Sequence, residues 1–399
     1  GQKPNIPVSI SPRVGFIYKI PSQNLVVRGG LGLFTGRIPL VWPGGIYNNN
    51  GVSVGAIQRN ASNALLFRAD PYGQYTPADF GLNPNKDAKG SLNLIAKEFK
   101  LNKIFRTSLA IDKKITETWS TSFELIVTKN INEINYQNVN VYPNRFKAVG
   151  ADTRAIDDTI NATSTASSVS LPIPIRAVGT KNPYTDVLIL QNATGQKGFS
   201  YVFTFTVNRA WKNGFAFNAN YSYGNSQVLN EGTSSVNTSQ YSFMEAVNGQ
   251  NNLTLSTSDF DAASRITGYF AKKFTYAKNK LATTVSMTYQ GQSGTPYSFV
   301  YQNSLVKTIN RTATNDLIFI PTQAQLNTMI FSPNTVSGVT YTEQQQRDMF
   351  NTYIENNKYL SKHRGEYAER NGDRLPFTNL INLQIKQEFM LNLGKRAYG

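Results

Sequence analysis

The sequence predicts an all-β chain that forms part of a transmembrane antiparallel β-barrel with long extracellular loops. Three observations lead there. Greasy and small polar residues alternate strictly along several segments, and short and long connections between those segments also alternate. No apolar run reaches the roughly 18 residues that a membrane-crossing helix needs. Only helices and closed sheets satisfy every backbone group in lipid, so a membrane chain of this kind crosses as a barrel.

The clearest alternation is Gly214–Asn225, GFAFNANYSYGN. Phe215, Phe217, Ala219, Tyr221 and Tyr223 fall on one face, and Ala216, Asn218, Asn220, Ser222 and Gly224 on the other. Successive strand side chains point to opposite faces, so one side is oily and the other polar. The segment before it repeats the pattern, with Phe199, Tyr201, Phe203, Phe205 and Val207 against Ser200, Thr204, Thr206 and Asn208. Lys212-Asn213-Gly214 between them is a hairpin signal. Trp119–Val127, Leu281–Tyr289 and Ile381–Phe389 alternate likewise, although Lys272 and Gln387 break the greasy face of their strands. About nine strands of roughly the 9–11 residues needed to cross a bilayer are expected. They lie near 11–20, 25–36, 95–112, 117–133, 198–211, 214–225, 264–276, 280–291 and 377–391.

The short connections are Pro21–Asn24, Lys113–Thr116, Lys212–Gly214 and Lys278–Lys280, with Leu393–Gly399 a further candidate. The long ones are 37–94, 134–197, 226–263 and 292–376. Long structureless loops argue against a compact soluble domain, but short periplasmic turns and long outer loops are what an outer-membrane barrel has. A soluble β-sandwich also alternates, yet needs turns at much shorter intervals. The loops are rich in Asn, Ser, Thr, Gly and Pro, as at Tyr47–Gly51 and Asn161–Ser170. Thr342–Tyr353, TEQQQRDMFNTY, has the composition of a short helix.

The 399 residues carry 40 Lys+Arg against 24 Asp+Glu, a net charge of +16, yet only 16% of residues are charged. The excess reflects scarce acids. With no block of five or six cations, nucleic acid is not an expected partner. Cysteine is absent and His363 is the one histidine, which removes disulfides, thiol catalysis and Cys/His zinc sites. No GxSxG elbow or triad pattern is present, so no enzyme and no cofactor are expected. Gly29–Gly36 has glycine-rich spacing but lacks the Lys-Ser/Thr of a phosphate loop, and no helix follows. Glycines inside a strand more often allow bending or close backbone approach. Asp152, Asp157 and Asp158 surround Arg154, which favours a solvated loop over a hard-cation site.

Several blocks resemble the TonB-dependent outer-membrane receptors of the Oar-like type, which carry a carboxypeptidase-regulatory-like domain. They are Ser11–Trp42 (SPRVGFIYKIPSQNLVVRGGLGLFTGRIPLVW), Lys97–Tyr142, Tyr289–Tyr301 (YQGQSGTPYSFVY), Asn315–Pro321 (NDLIFIP) and Tyr359–Phe389. They run from residue 11 to residue 389 in the family's order. Ser264-Arg265-Ile266 departs from the family's usual His-Arg-Ile. The resemblance implies the C-terminal half of a barrel of about 22 strands. Residues 1–399 are then a partial receptor barrel domain, with plug and regulatory-like domain outside the chain. It also implies the outer membrane of a Gram-negative bacterium.

The implied function is active transport of an unidentified ligand, energised through TonB, with this chain supplying wall and outer loops. A surface adhesin or assembly component anchored by its barrel is the alternative, and a passive porin a third reading. The implied partners are the TonB complex through a plug segment, outer-membrane lipid and a surface lipoprotein. Arg13, Lys19, Arg28 and Arg106 lie opposite greasy neighbours, so they are expected in the lumen, either lining a wet interior or, as the resemblance favours, meeting plug carboxylates. Trp42, Tyr47, Tyr72, Tyr75 and Phe80 in the first long loop are candidates to stack on a ligand. Trp42 and Tyr47, nearest a strand end, equally suit the interfacial girdle. Arg364, Arg370 and Arg374 alternate with Glu366, Glu369 and Asp373. They either contact a ligand or hold a loop by ion pairs, and the second reading is favoured.

Overall fold

The computed structural model describes residues 8–50, 66–81, 91–139, 141–147, 150–159, 186–301, 315–389, 391–393 and 396–398. Nine long strands form one antiparallel sheet in which each pairs with its neighbours in chain order. They are β1 (Arg13–Ile20), β2 (Leu25–Thr35), β3 (Lys103–Lys114), β4 (Trp119–Asn132) and β5 (Phe199–Lys212), followed by β6 (Phe215–Val228), β7 (Ser264–Tyr276), β8 (Leu281–Gln292) and β9 (Thr378–Phe389). Among the described residues, no helix is long and apolar enough to cross a membrane. The sheet is open, and the outer edges of β1 and β9 have no partner among the described residues.

The turns sit where chain chemistry puts them. Asn213 and Gly214 have positive φ at 52° and 67°, the geometry of a two-residue hairpin whose twist matches its strands. The β1–β2, β3–β4 and β7–β8 connections are also short. On the opposite rim, 36–102, 133–198, 229–263 and 293–377 are long. The expected strand at 95–112 begins instead at Lys103. Its first residue, Ile95, ends a loop strand, Ser91–Ile95, and Phe99 is buried in a loop cluster.

Register settles the faces. Phe16, Leu109, Leu125, Phe203 and Tyr223 line up in one row, as do Tyr18, Val27, Ile111, Phe123, Phe205, Tyr221 and Ile266 in the next. Apart from the half-buried Val27 and Phe203, these side chains are exposed. The other face is a polar ladder. Thr204 meets Ser222 at 3.1 Å, Thr206 meets Asn220 at 2.7 Å, and Asp112 accepts from Ser122 and from Arg28. An oily face can stay uncovered in lipid, and a polar one belongs to an enclosed aqueous interior. At Gly29 the Phe16 ring lies across the position a Cβ would take, at 3.0 Å. That glycine serves close packing of strands, not a phosphate.

The loops have structure of their own. Ser91–Ile95, Asp186–Asn192 and Ile134–Asn138 make a three-stranded sheet in that order, the first two strands parallel and the last two antiparallel, a feature not expected from the sequence. The helix expected at 342–353 is present as Glu343–Asn356. Thr342 and Gln345 close a capping box at its N-terminus.

Candidate functional site

The four long loops come together over one rim of the wall, and the residues joining them identify the site. Trp42, on the short helix Val41–Asn48, is only 4% exposed. Its Nε1 donates to the Ser234 carbonyl at 2.8 Å, and its ring meets Tyr136 edge-on at 6.0 Å. Tyr136 donates to Asn237 Oδ1 at 3.1 Å, and the Asn237 amide donates back to the Trp42 carbonyl. Three loops are thereby locked through one aromatic pair. Trp42 therefore faces neither a lipid girdle nor open solvent, which corrects the surface placement expected for it.

The last loop enters through its arginines. Arg370, 2% exposed, donates to the carbonyls of Leu229 and Val228 at 2.9 and 2.6 Å. Burial pushes its pKa below the ordinary guanidinium value, against the pull of Glu231, Glu245, Asp259 and Glu133. Asn371 donates to the Thr257 carbonyl and to Asp259. Arg374 pairs with the Asp261 carboxylate and donates to its carbonyl. Arg364 donates to the Pro321 carbonyl at 3.1 Å and to Asn351 at 2.6 Å. Arg370 and Arg374 bind the last loop to the third and Arg364 braces the last loop internally, which is the loop-holding role favoured for them from the sequence. Arg154 also departs from the solvated loop expected of it. It is buried, pairs with Asp152 at 2.7 Å and donates to the Leu317 carbonyl.

Sequence reasoning missed Glu133. It accepts from Gly198 N–H and, at 2.7 Å, from Leu229 N–H, tying the second loop to the third. A single acid at the end of a strand gives no signal by spacing alone. Burial holds the Glu231 and Glu245 carboxyls above their usual range.

The remaining aromatics stay outward. Tyr47 is exposed, and Tyr72 is 98% exposed. Tyr75 packs on Phe80 at 5.9 Å with the Arg68 guanidinium 3.7 Å over its ring. A cleft of about 600 Å³ opens among Thr153, Phe319, Gln325, Thr328 and Tyr367. Phe319 and Tyr367 stand edge to face at 5.2 Å along it. Rings beside amide and hydroxyl groups suit a polar ligand with an apolar face.

Below the loops, Arg13, Lys19, Arg28 and Arg106 share the polar face of the wall. Arg28 is answered within the wall by Asp112 at 2.8 Å and Glu124 at 3.5 Å. Arg106 donates to Thr128 at 3.0 Å, and Arg13 lies 4.3 Å over the Phe34 ring. His363 is stacked on Tyr359 at 4.2 Å, its Nδ1 beside the Tyr359 carbonyl.

An open antiparallel wall, oily on one side and polar on the other, with the described parts of its long loops gathered on a single rim, defines an outer-membrane barrel protein. The chain belongs to the outer membrane beta barrel domain family, whose profile matches residues 6–395. It accordingly resides in the outer membrane of a Gram-negative bacterium. Among solved structures it is similar to the outer membrane transporter YddB from Escherichia coli, at 10% identity and a TM-score of 0.35. The match covers 72% of this chain and 29% of that one. No curated protein matches the chain.

Proposed function

We propose that the chain forms wall and outer loops of a transporter energised through TonB, taking up a ligand captured at the loop rim. The observation that carries this is the locked cap, in which all four long loops are held by buried partners such as Arg370 and Trp42. A preformed surface is what ligand capture needs, since ordering cost has been met before binding. The resemblance of the blocks from Ser11 to Phe389 adds the TonB-dependent class. The two unpartnered sheet edges call for further strands to close the wall. Arg13 and Lys19, not ion-paired within the described wall, are the residues offered to plug carboxylates. Transport rather than catalysis is the reading, with TonB acting through a plug and a surface lipoprotein a partner at the cap.

The whole protein, purified in detergent, is expected to bind the periplasmic domain of TonB in a pull-down. Cells expressing it should lose ligand accumulation, while keeping surface binding, when the proton gradient is collapsed. Failure to bind TonB, together with surface attachment indifferent to the gradient, would replace the transporter by an adhesin.

A further inference from the structure

The wall is sorted by charge as well as by greasiness. Strands β1–β9 contain three acids, Asp112, Glu124 and Glu388. Register puts all three on the polar face, opposite Ser122, Thr204 and Ala282 respectively. The oily face of these strands has no acid but does carry cations, among them Lys113, Lys129, Arg209 and Lys272. Those four lie in the rows of Thr121, Phe105, Phe217 and Phe215.

Two of these cations converge. Arg209 on β5 and Lys272 on β7 flank β6 and reach for the same β5–β6 turn. Arg209 Nη1 donates to the Phe215 carbonyl at 2.7 Å and faces the Lys212 carbonyl at 3.4 Å. Lys272 Nζ donates to the Asn213 carbonyl at 3.2 Å. Rings frame both heads. Phe215 lies 4.2 Å and Trp119 5.8 Å from the Arg209 guanidinium, and Phe274 lies 5.9 Å from the Lys272 ammonium. Glu117, in the short β3–β4 connection, is engaged by Lys212 at 3.3 Å. Neutral carbonyls satisfy the donors, and among the described residues no carboxylate pairs with either positive charge.

Short turns mark the periplasmic rim, so this pair sits where lipid headgroups begin. Long cationic side chains reach that level while their stems and the rings stay in the acyl region. We propose that Arg209 and Lys272 form a binding site for the phosphodiester headgroup of an anionic phospholipid in the periplasmic leaflet. Phe217 and Phe270, one step further from the turn on the same face, meet the acyl chains. A phosphate oxygen accepts from each cation, and the charge excess selects an anionic headgroup over a zwitterionic one.

The whole protein, reconstituted in mixed micelles with equal phosphatidylglycerol and phosphatidylcholine, is to be examined by native mass spectrometry for retained lipid. Phosphatidylglycerol should be retained preferentially, and each cation removed should cost about fivefold of that preference. Arg209→Gln with Lys272→Gln should abolish it, whereas Arg209→Lys should keep it; heat-modifiable migration verifies the folded barrel in each. Lys129→Gln, at the opposite rim, should leave it unchanged. Equal retention of both lipids by the unmodified protein overturns the site without any variant. So does a preference that survives the double substitution in folded protein.

Discussion

The wall and the cap hold themselves together by different rules. In the wall, partners are next-door strands, such as Thr204 and Ser222, 18 residues apart. Each side chain there is sorted by the solvent its face meets. In the cap, partners come from across the chain: Trp42 and Ser234 are 192 residues apart, and Tyr367 and Asp152 are 215 apart. Buried polar groups there are sorted by whether each finds its hydrogen bond. A wall substitution is therefore judged by its face, and a cap substitution by the partner it abandons.

The sharpest way to separate the two regions is Arg370→Ala. It strands the Val228 and Leu229 carbonyls and leaves the surrounding carboxylates without their buried cation. A local loss of about 3–5 kcal/mol is expected, seen as amide exchange and proteolysis at 228–261. Heat-modifiable migration of the wall should be unchanged; if the wall melts with the cap, the two are not separable regions. Leu125→Arg tests the opposite side. It puts a charge among the oily rows and should cost about 2–4 kcal/mol of barrel stability, measured by denaturant unfolding in vesicles. Thr204→Arg, one strand over on the polar face, should be tolerated. Equal damage from both would mean the faces have been assigned wrongly.

A smaller effect is expected from Thr342→Ala, which removes the capping box of helix Glu343–Asn356. About 1 kcal/mol of local stability should go, read as faster exchange in its first turn and nowhere in the wall.

The mildest probe is pH. Burial pushes Glu231 and Glu245 up, so the folded cap binds more protons than the unfolded loops between the ordinary and the raised values. Cap stability from these groups therefore rises as pH falls through that window. Asp373 is the reverse case. Burial pushes it up, but hydrogen bonds from Asn357 and Tyr297 outweigh that and hold it below the usual carboxylate range. Its contribution is lost only as pH falls through that lowered value. Exchange protection of the cap should peak in mildly acidic buffer while the wall stays flat. Protection highest at neutral pH would contradict the burial of the two glutamates.

The nine strands, apart from the start of the one expected at 95–112, their faces and the alternation of turns and loops were legible in residues alone. Gly214–Asn225 shows why: each position must suit lipid or water, and that choice repeats every second residue. The helix after Thr342 was legible from composition alone, since helix-forming residues cluster in TEQQQRDMFNTY. The cap was not. Trp42 read as a surface aromatic, and nothing near it announces Tyr136 or Ser234. Glu133 gave no signal at all.

What the amino-acid order determined by itself was local and periodic: strand, turn, face and helix start depend on neighbours a few residues away. Only the tertiary structure decided which loops meet and which arginine is buried against which carbonyl. It also decided that Arg209 and Lys272, 63 residues apart in sequence, reach one turn. Those pairings are between distant segments, and a buried polar group is satisfied by whatever the fold brings within hydrogen-bond reach, which no local pattern specifies.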